Sequence, residues 1–401
     1  MPESAAAGAA PELAWLDGRP ATQVSLLERA LHYGDGLFET IACPGGSPRF
    51  LERHLARLAQ GCTRLGIGPP ELPQLADEVR RLAAGTSRAI VKVLLTRGEA
   101  LARGYGLTGR EQPNRILLRY AWPADDPALA REGVRVRVAA LRLGENPALA
   151  GLKHCNRLEQ VLARREWSDP GIHEALLFSS SGALVSGTMS NVFLVHGERL
   201  LTPRLERCGV AGVMRAVVLQ AAPDAGIACE ECVLGESDLA AARELFLTSA
   251  LTGIRPVREL AGRVLSVGAL TRRLQAQLAP LLSGDSEGLR HGVLGDVDIA
   301  EDADQSRGAA ASFAPEDLIE RAGHPWVGRT STGPSLAAAA LPAHSKAASR
   351  SDASITQKPP ICSLVSAYGP SVIDTSPPED LTTVADGAGC RPAANTQAPA
   401  F

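Results

Sequence analysis

The 401-residue sequence has no apolar run long enough to cross a bilayer, and its formal net charge is only −3. A membrane span needs about 20 consecutive apolar residues, and binding to nucleic acid or to an anionic membrane is favoured by a strong positive charge. We therefore expect neither a membrane nor a nucleic acid among its partners. The segment 1–11 is alanine-rich but lacks a basic start and an apolar core, so it is not typical of a secretion signal.

Cysteine is scarce. The chain has eight cysteines, and only Cys229 and Cys232 lie close together. A zinc site of the common kind needs a second such pair, or histidines at a suitable spacing. Reduced thiols in a cytosolic protein are the better interpretation, so the composition indicates a cytoplasmic location and no bound metal.

The sequence changes character near Ser283. Before it, apolar segments alternate regularly with turns, whereas alanine runs with scattered proline and serine follow it. Such a segment cannot bury enough apolar surface to offset the entropy lost on ordering. We therefore predict a low-complexity, disordered tail over 284–401. An extended or frame-altered reading of the gene would give the same change in composition.

Residues 12–283 have the pattern of an α+β protein. The strands that alternation and composition predict are 90–96, 115–120, 134–138, 174–178, 183–186, 191–195 and 245–249. Helical spacing predicts helices over 50–65 and 154–167. The stiff polar connector 122–127 marks a domain boundary. The sequence thus predicts a small N-terminal α+β domain over 12–121 and a larger domain over 128–283 that is rich in antiparallel strands.

One lysine, Lys153, lies just before the second predicted helix, in the segment GLKHCNRLEQ that covers 151–160. A lysine acts as a covalent catalyst only when its amine is neutral and directed at a carbonyl group, and a fixed position at the end of an element provides that. Taken alone, Lys153 has the character of a solvated surface charge. The segments around it in the sequence change that interpretation.

Four further segments combine glycine, hydroxyl and arginine residues in a suggestive way. In 32–40 a Gly-Asp-Gly turn leads into a strand, and 96–105 carries two arginines on a glycine-bearing loop, which suits bidentate binding of carboxylates. Small residues in 209–215 precede an apolar helix, whose free N–H groups suit a phosphate, and hydroxyls end the strand 245–249. Each also has a plain alternative, namely an ordinary turn, solvated charges, a glycine before a helix, or a turn cap.

In this order and spacing, the segments resemble the fold-type IV pyridoxal-phosphate enzymes, a family that contains branched-chain aminotransferases, D-amino-acid aminotransferases and aminodeoxychorismate lyases. The resemblance covers about 13–282. The segment 152–160 resembles the lyase branch, in which Lys-His-x-Asn-Arg-Leu-Glu-Gln recurs, and so does 96–105. The resemblance implies pyridoxal 5'-phosphate as cofactor, a homodimer, and two domains, a small α/β sandwich followed by a larger pseudo-barrel.

The resemblance also implies roles at the cofactor. Lys153 would form the covalent bond with it, and Arg57 would hold its phosphate. The other implied members of the phosphate cup are Val213, Met214, Ser249 and Ala250. Ser186 stands where much of the family has a glutamate paired with the pyridine nitrogen. A neutral hydroxyl stabilises a protonated ring less than a carboxylate does.

The implied reaction converts 4-amino-4-deoxychorismate, a small-molecule substrate, into 4-aminobenzoate and pyruvate in folate synthesis. Lys153 would remove the C4 proton, and Thr40 would protonate the departing enolpyruvyl group. The candidates to bind the substrate are Arg97, Arg103 and Arg157 for its carboxylates and Tyr105 for a further hydrogen bond. Two alternatives stay open, an aminotransferase acting on D- or branched-chain amino acids and a non-catalytic binding protein that recruits partners through the tail.

Overall fold

The computed structural model describes residues 10–124 and 126–283, so the predicted tail and one residue of the predicted connector lie outside the described residues. The described residues all belong to one compact unit. Two sheets run through its described part, one of five strands and one of nine. None of the described helices combines the length and the apolar character that a membrane crossing requires.

The five-stranded sheet and its helices come from the first part of the chain. The elements are β1 (Leu13–Leu16), β2 (Arg19–Pro20), α1 (Arg29–Tyr33), β3 (Gly36–Pro44), α2 (Leu51–Leu65), α3 (Leu72–Ala83), β4 (Arg88–Thr96) and β5 (Asn114–Ala121). The strand order is β2-β1-β5-β4-β3, and every neighbouring pair is antiparallel. The predicted strands 90–96 and 115–120 and the predicted helix 50–65 are confirmed.

Alternation along β3 divides its side chains between two environments. Leu37 and Ile41 face α2 and α3 and are buried in an apolar core with residues such as Leu58 and Val79. Phe38 and Thr40, the intervening positions, belong to the opposite face. This second face of the sheet carries the residues that matter for the site.

The nine-stranded sheet comes from the rest of the described chain. The elements are α4 (Pro127–Glu132), β6 (Val134–Leu143), α5 (Leu158–Arg164), β7 (Ile172–Ser179), β8 (Leu184–Gly187), β9 (Asn191–His196), β10 (Arg199–Pro203), α6 (Val213–Asp224), β11 (Ala228–Cys232), α7 (Glu236–Ala241), β12 (Glu244–Ser249), β13 (Gly253–Leu260), β14 (Arg263–Val264) and α8 (Ala269–Ser283). The main path runs β11-β10-β9-β12-β13-β6-β7-β8, with β14 beside β13. Apolar side chains of β9, β10, β12 and β13 share one buried core with side chains of α6 and α8.

This sheet is mixed, whereas the sequence predicts mainly antiparallel strands. The pairs β6–β7, β13–β6 and β10–β11 are parallel. Parallel neighbours need a long crossover connection, and the stretch between β6 and β7 that contains Lys153 and α5 is such a crossover. The candidate catalytic lysine therefore lies on a connection rather than on a strand.

The predicted helix 154–167 is wrong in its extent, because α5 covers only Leu158–Arg164. The residues before it pair with the first sheet instead, and His154 forms an antiparallel bridge with Leu37 on β3. A main chain that donates and accepts hydrogen bonds along a strand edge cannot make helical i→i−4 bonds at the same time. Helical periodicity in the side chains does not reveal that competition.

Candidate active site

The main chain of Lys153 is fixed against the edge of β3. Phe38 N donates to Lys153 O at 2.9 Å, and Cys155 N donates to Gly36 O at 2.8 Å. These two bonds extend the five-stranded sheet by one short stretch of the crossover. Because Phe38 points to the second face of that sheet, the pairing directs Lys153 to the same face.

The amine of Lys153 lies in an environment that favours its neutral form. Its Nζ is 4.3 Å from the centroid of the Phe38 ring. Burial, followed by the positive charge of Arg57, lowers the pKa of Lys153 from 10.5 to about 8, and the negative charge of Glu39 only partly opposes this. A pKa near 8 leaves a substantial neutral fraction at physiological pH. The amine is therefore suited to covalent and general-base chemistry.

A second lysine, Lys92, shares this face. Its Nζ is 5.2 Å from the centroid of the same Phe38 ring, and its Cα is paired with Thr40 on β3. The chain has four lysines, and Lys92 and Lys153 are the only ones within the described residues. Sequence reasoning missed Lys92. The scarcity of lysine in an arginine-rich chain was the available signal, because lysine is the cation whose pKa shifts readily on burial.

Arg57 connects the first sheet to the loop before α6. Its Nε donates to Glu39 Oε1 at 2.8 Å, its Nη2 donates to Glu39 Oε2, and its Nη1 donates to Ala211 O at 2.8 Å. The ring of His54 is 2.7 Å from the same carboxylate. Burial raises the pKa of Glu39, but Arg57 and His54 outweigh burial and hold that pKa at about 2. Glu39 is thus an anion that orients Arg57. The sequence signal was a charged residue at a core-facing position of an alternating strand.

The start of α6 forms an anion cradle beside Arg57. Val213 and Met214 are its first two residues, and its N-cap Gly212 has no side-chain cap, which leaves the first N–H groups of the helix for a ligand. A Cβ at Gly212 would collide with Asn191 Oδ1, so the close approach requires glycine.

Two main-chain bonds hold this cradle next to the lysine segment. Gly151 N donates to Gly209 O at 3.0 Å, and Ala211 N donates to Gly151 O at 3.0 Å. Gly151 is two residues before Lys153, so these two bonds join the loop before α6 to the lysine crossover. The structure therefore brings together Lys153, Arg57, Val213 and Met214, four of the residues that the sequence predicts.

Ser249 and Ala250 lie at the end of β12. Ser249 Oγ and Thr252 Oγ1 are 2.8 Å apart, and Arg49 donates to Ala250 O at 3.4 Å. Thr248, the preceding residue, is one of the hydroxyls noted in the sequence at this strand end, but it is not among the residues predicted for the phosphate cup. It is 1% exposed, its Oγ1 has no hydrogen-bond partner, and its Cα is paired with Asn191, beside the helix start.

Ser186 is buried at the end of β8, and its Oγ donates to Gly187 O at 2.8 Å. A buried carboxylate lies next to it, because a Cβ at Gly187 would be 2.9 Å from Cδ of Glu174. Glu174 accepts hydrogen bonds from Thr188 N at 2.9 Å and from Ser190 Oγ at 2.9 Å. Sequence reasoning missed Glu174, which fixes the turn between β8 and β9.

The three arginines predicted to bind carboxylates have different surroundings. Arg97 is buried, with Nε 2.8 Å from Asp35, Nη1 2.6 Å from Gly66 O and Nη2 2.7 Å from Leu65 O. Its guanidinium is occupied by the scaffold on all sides, which argues against the predicted contact with substrate. The Arg157 side chain donates to His154 O and Leu152 O, which both belong to the lysine crossover.

Arg103 and Tyr105 lie on the exposed loop between β4 and β5. The Tyr105 side chain is 83% exposed, and its ring centroid is 5.2 Å from that of Tyr33. Arg29 anchors the loop by donating to Tyr105 O at 3.2 Å. Among the described residues, no hydrogen bond or ion pair holds the Arg103 side chain.

The residues present fit pyridoxal phosphate. A buried amine with a lowered pKa suits the aldehyde group, and the helix start with Arg57 suits the phosphate. The unpartnered hydroxyl of Thr248, on the strand beside that helix start, supplies a further donor. No group of three or more His, Cys, Asp or Glu in the described part of the chain is arranged to hold a metal ion.

Comparison with known proteins gives one family. A family model for class IV amino-transferases matches residues 36–260. The chain is 34% identical over 268 residues to an aminodeoxychorismate lyase from Vibrio harveyi, which covers 66% of this chain and 98% of that protein. It is 32% identical over 263 residues to a putative branched-chain-amino-acid aminotransferase from Methanocaldococcus jannaschii, and this match covers 63% of this chain and 89% of that protein. Among solved structures, 4-amino-4-deoxychorismate lyase from Pseudomonas aeruginosa matches with a TM-score of 0.65 and 47% identity, covering 68% of this chain and 100% of that chain.

Proposed function

Because the chain belongs to the amino-transferase class IV family, we propose that it is a pyridoxal-phosphate-dependent lyase that converts 4-amino-4-deoxychorismate into 4-aminobenzoate and pyruvate. The observation that carries the choice of a lyase is the 47% identity to a lyase structure across the whole of that chain. The buried amine of Lys153 beside an anion cradle supports the cofactor. The reaction fits a soluble small-molecule enzyme, and the free cysteines among the described residues support a cytoplasmic location.

Three parts of the site hold the cofactor in this proposal. Lys153 forms the covalent bond to the aldehyde carbon, and Arg57 binds the phosphate while Glu39 keeps its guanidinium in place. The first N–H groups of α6, at Val213 and Met214, complete the phosphate cup with the Ser249–Ala250 turn. When bound, pyridoxal phosphate withdraws electrons from the carbon next to the substrate amine.

Lys153 and Thr40 move the protons. With its amine free and neutral, Lys153 would act as the base that removes the proton at C4 of the substrate. The bond between C3 and the enolpyruvyl oxygen then breaks, and Thr40 donates a proton to the departing methylene group, which becomes the methyl group of pyruvate. Thr40 lies on the same face of β3 as Phe38, beside Lys92, which supports this role.

The substrate carboxylates need cations, and two of the candidates among the described residues form no ion pair. Lys92 lies beside Phe38 and Thr40, and it forms no ion pair within the described residues. Arg103 is on an exposed loop with Tyr105. We assign carboxylate binding to this pair and assign Arg97 to the scaffold, because Asp35 and two carbonyls already occupy its guanidinium.

The exposed position of Arg103 fits a homodimer in which a second copy contributes this loop. Large apolar side chains are exposed on this loop and on the segment that pairs with its start through Glu28 and Glu99, since Leu26 is 80% exposed, Leu31 is 65% exposed and Leu101 is 51% exposed. Exposed large side chains in such a cluster mark a protein interface. In a symmetric dimer the same loop from each chain would reach the site of the other.

Ser186 gives the site a neutral hydroxyl in the position implied to face the pyridine nitrogen. A neutral partner makes the ring a weaker electron sink. Formation of an aromatic product makes the lyase reaction strongly downhill, so we infer that a lyase tolerates the serine better than an aminotransferase would.

The decisive experiment supplies enzymatically made aminodeoxychorismate to the full-length enzyme and measures pyruvate and 4-aminobenzoate, with Lys153→Ala as the control. We expect equal amounts of both products without any keto-acid acceptor. An aminotransferase would instead convert the cofactor to its amine form when given an amino acid alone. That result, with no pyruvate from aminodeoxychorismate, would rule out the lyase.

Dimeric sharing of the site has its own test. Mixing the inactive variant Lys153→Ala with the weakened variant Arg103→Gln allows hybrid dimers in which one site has both native residues, provided that Arg103 acts on the neighbouring chain. We expect the activity of the mixture to rise above that of Arg103→Gln alone. No rise after subunit exchange would mean that Arg103 acts within its own chain or not at all.

A further inference from the structure

The main chain around Lys153 is held at three consecutive carbonyl groups. Phe38 N donates to Lys153 O at 2.9 Å. On either side, Arg157 Nε donates to His154 O at 2.8 Å and Arg157 Nη2 donates to Leu152 O at 3.3 Å. One guanidinium therefore bonds both residues that flank the lysine, and its planar fork holds the two donors in a fixed relative position.

The charge of Arg157 is not neutralised by an ion pair. The described residues give it no carboxylate within ion-pair distance, and burial lowers its own pKa. An unpaired, partly buried guanidinium is costly to desolvate. Packing alone does not explain why this guanidinium lies close to another basic group, the amine of Lys153.

Charged groups face Lys153 from four elements. They are Arg57 from α2, Glu39 from β3, Lys92 from β4, and Arg157 at the start of α5. Arg57 and Glu39 are bonded to each other through two hydrogen bonds, so their opposite charges act on the lysine as a pair, in which the effect of Arg57 is the larger. The unpaired cations that remain are Arg157 and Lys92, and Arg157 is the one tied to the main chain of Lys153.

We propose that Arg157 is a positioning residue for Lys153, which fixes the main chain on both sides of the lysine and keeps its amine neutral, rather than a ligand for a substrate carboxylate. The need for a neutral amine at this position rests on the proposed function. The positioning itself is a property of the folded chain and can be measured without substrate.

The first test measures the reactivity of Lys153 in the full-length chain after removal of the cofactor. Trace acetic anhydride labels neutral amines, and fragmentation mass spectrometry then compares Lys153 with Lys92 in the same sample across a pH series. Arg157→Gln should raise the apparent pKa of Lys153 by about one unit, which lowers its labelling near pH 7 roughly tenfold. Arg164→Gln is the matched control. Arg164, a residue of α5, also donates to a carbonyl, Trp167 O, and we expect its removal to leave the apparent pKa of Lys153 unchanged.

The second test separates the charge from the fork. Arg157→Lys keeps the positive charge but replaces the rigid pair of donors, Nε and Nη2, with a single nitrogen, so the apparent pKa of Lys153 should stay low while the main chain is held less firmly. The rate at which Lys153 forms its imine with added pyridoxal phosphate, releasing one water, should nevertheless fall severalfold, because the amine is less well directed. This second variant also keeps the idea testable if Arg157→Gln does not fold.

Several outcomes would overturn the proposal. An unchanged labelling profile in folded Arg157→Gln would refute the effect on the amine, and an Arg157→Lys variant with the wild-type imine rate would refute the fork. An equal shift in Arg164→Gln would mean a general loosening of the protein. A failed lyase assay with these expected shifts would count against the proposed reaction but not against the positioning of Lys153.

Discussion

The two ends of the candidate site are built differently. At the phosphate end, the main groups have partners within the chain, with Arg57 bonded to Glu39 and to Ala211 and the helix start fixed by glycine. At the substrate end, Arg103 and Tyr105 lie on an exposed loop among apolar side chains. In the proposed function, one chain therefore provides the cofactor site, whereas the substrate site takes this loop from a second copy.

The largest expected effect is at the lysine that joins the two ends. Lys153→Ala removes both the covalent anchor and the general base, so pyruvate release should fall by about a thousandfold or more. A steady-state pyruvate assay on protein with matched cofactor content measures this. Activity within tenfold of the wild type would mean that another group carries out the proton transfer.

The phosphate end should behave as one coupled unit. Arg57→Met leaves the carboxylate of Glu39 buried without its bidentate partner, which should lower the free energy of unfolding by about 3–5 kcal/mol. Urea unfolding of the full-length chain measures this loss. The double variant Arg57→Met with Glu39→Leu should recover part of it, because both charges are then gone. No recovery would mean that the pair does not act together.

Lys153 should also make stability depend on pH. The unfolded chain keeps the proton up to about pH 10.5, whereas the folded, cofactor-free chain releases it near pH 8. The free energy of unfolding contributed by this residue therefore rises with pH between 8 and 10.5. Lys153→Met should be the more stable protein at pH 7, by on the order of 1–3 kcal/mol, and the gap should close by pH 10.5. A gap that does not change with pH would contradict the lowered pKa.

The substrate end should affect binding of substrate without affecting the fold. Lys92→Gln and Arg103→Gln should each lower kcat/KM by roughly ten- to a hundredfold, with little change in melting temperature. Arg97→Gln should instead lower the melting temperature with little change in kcat/KM, because it removes one partner of Asp35 and two carbonyl contacts. Thermal unfolding and kinetics on the same three variants separate the two classes. A stable Arg97→Gln with a selective rise in KM would return Arg97 to the substrate site.

The smallest expected effect is at Ser186, the residue predicted to face the pyridine nitrogen of the cofactor. Ser186→Glu introduces a negative charge there, which should raise the pKa of the bound ring nitrogen and shift the absorption of the cofactor. The lyase rate should change by less than about tenfold, because aromatic product formation already drives the reaction. An unchanged spectrum together with an unchanged rate would show that position 186 does not govern the ring.

The sequence anticipated much of the fold and part of the site, for identifiable reasons. Strand alternation and helical spacing located β4, β5 and α2 because each of these elements buries one face against a core. The predicted helix 154–167 began too early because His154 and Cys155 pair with β3, which lies far earlier in the chain. Lys92 and Glu39 were missed because their importance depends on neighbours brought together by strand pairing.

By itself, the sequence determined the family and the cofactor and predicted the lysine, because these depend on residue types in a fixed local order around 151–160 and 209–215. Only the tertiary structure decided what each charge does. It committed Arg97 to Asp35, directed Arg157 at the carbonyls beside Lys153, and placed Lys92 over the ring of Phe38. The physical reason is that a charge acts through distance and burial, and both are set by contacts between segments that are far apart in the chain.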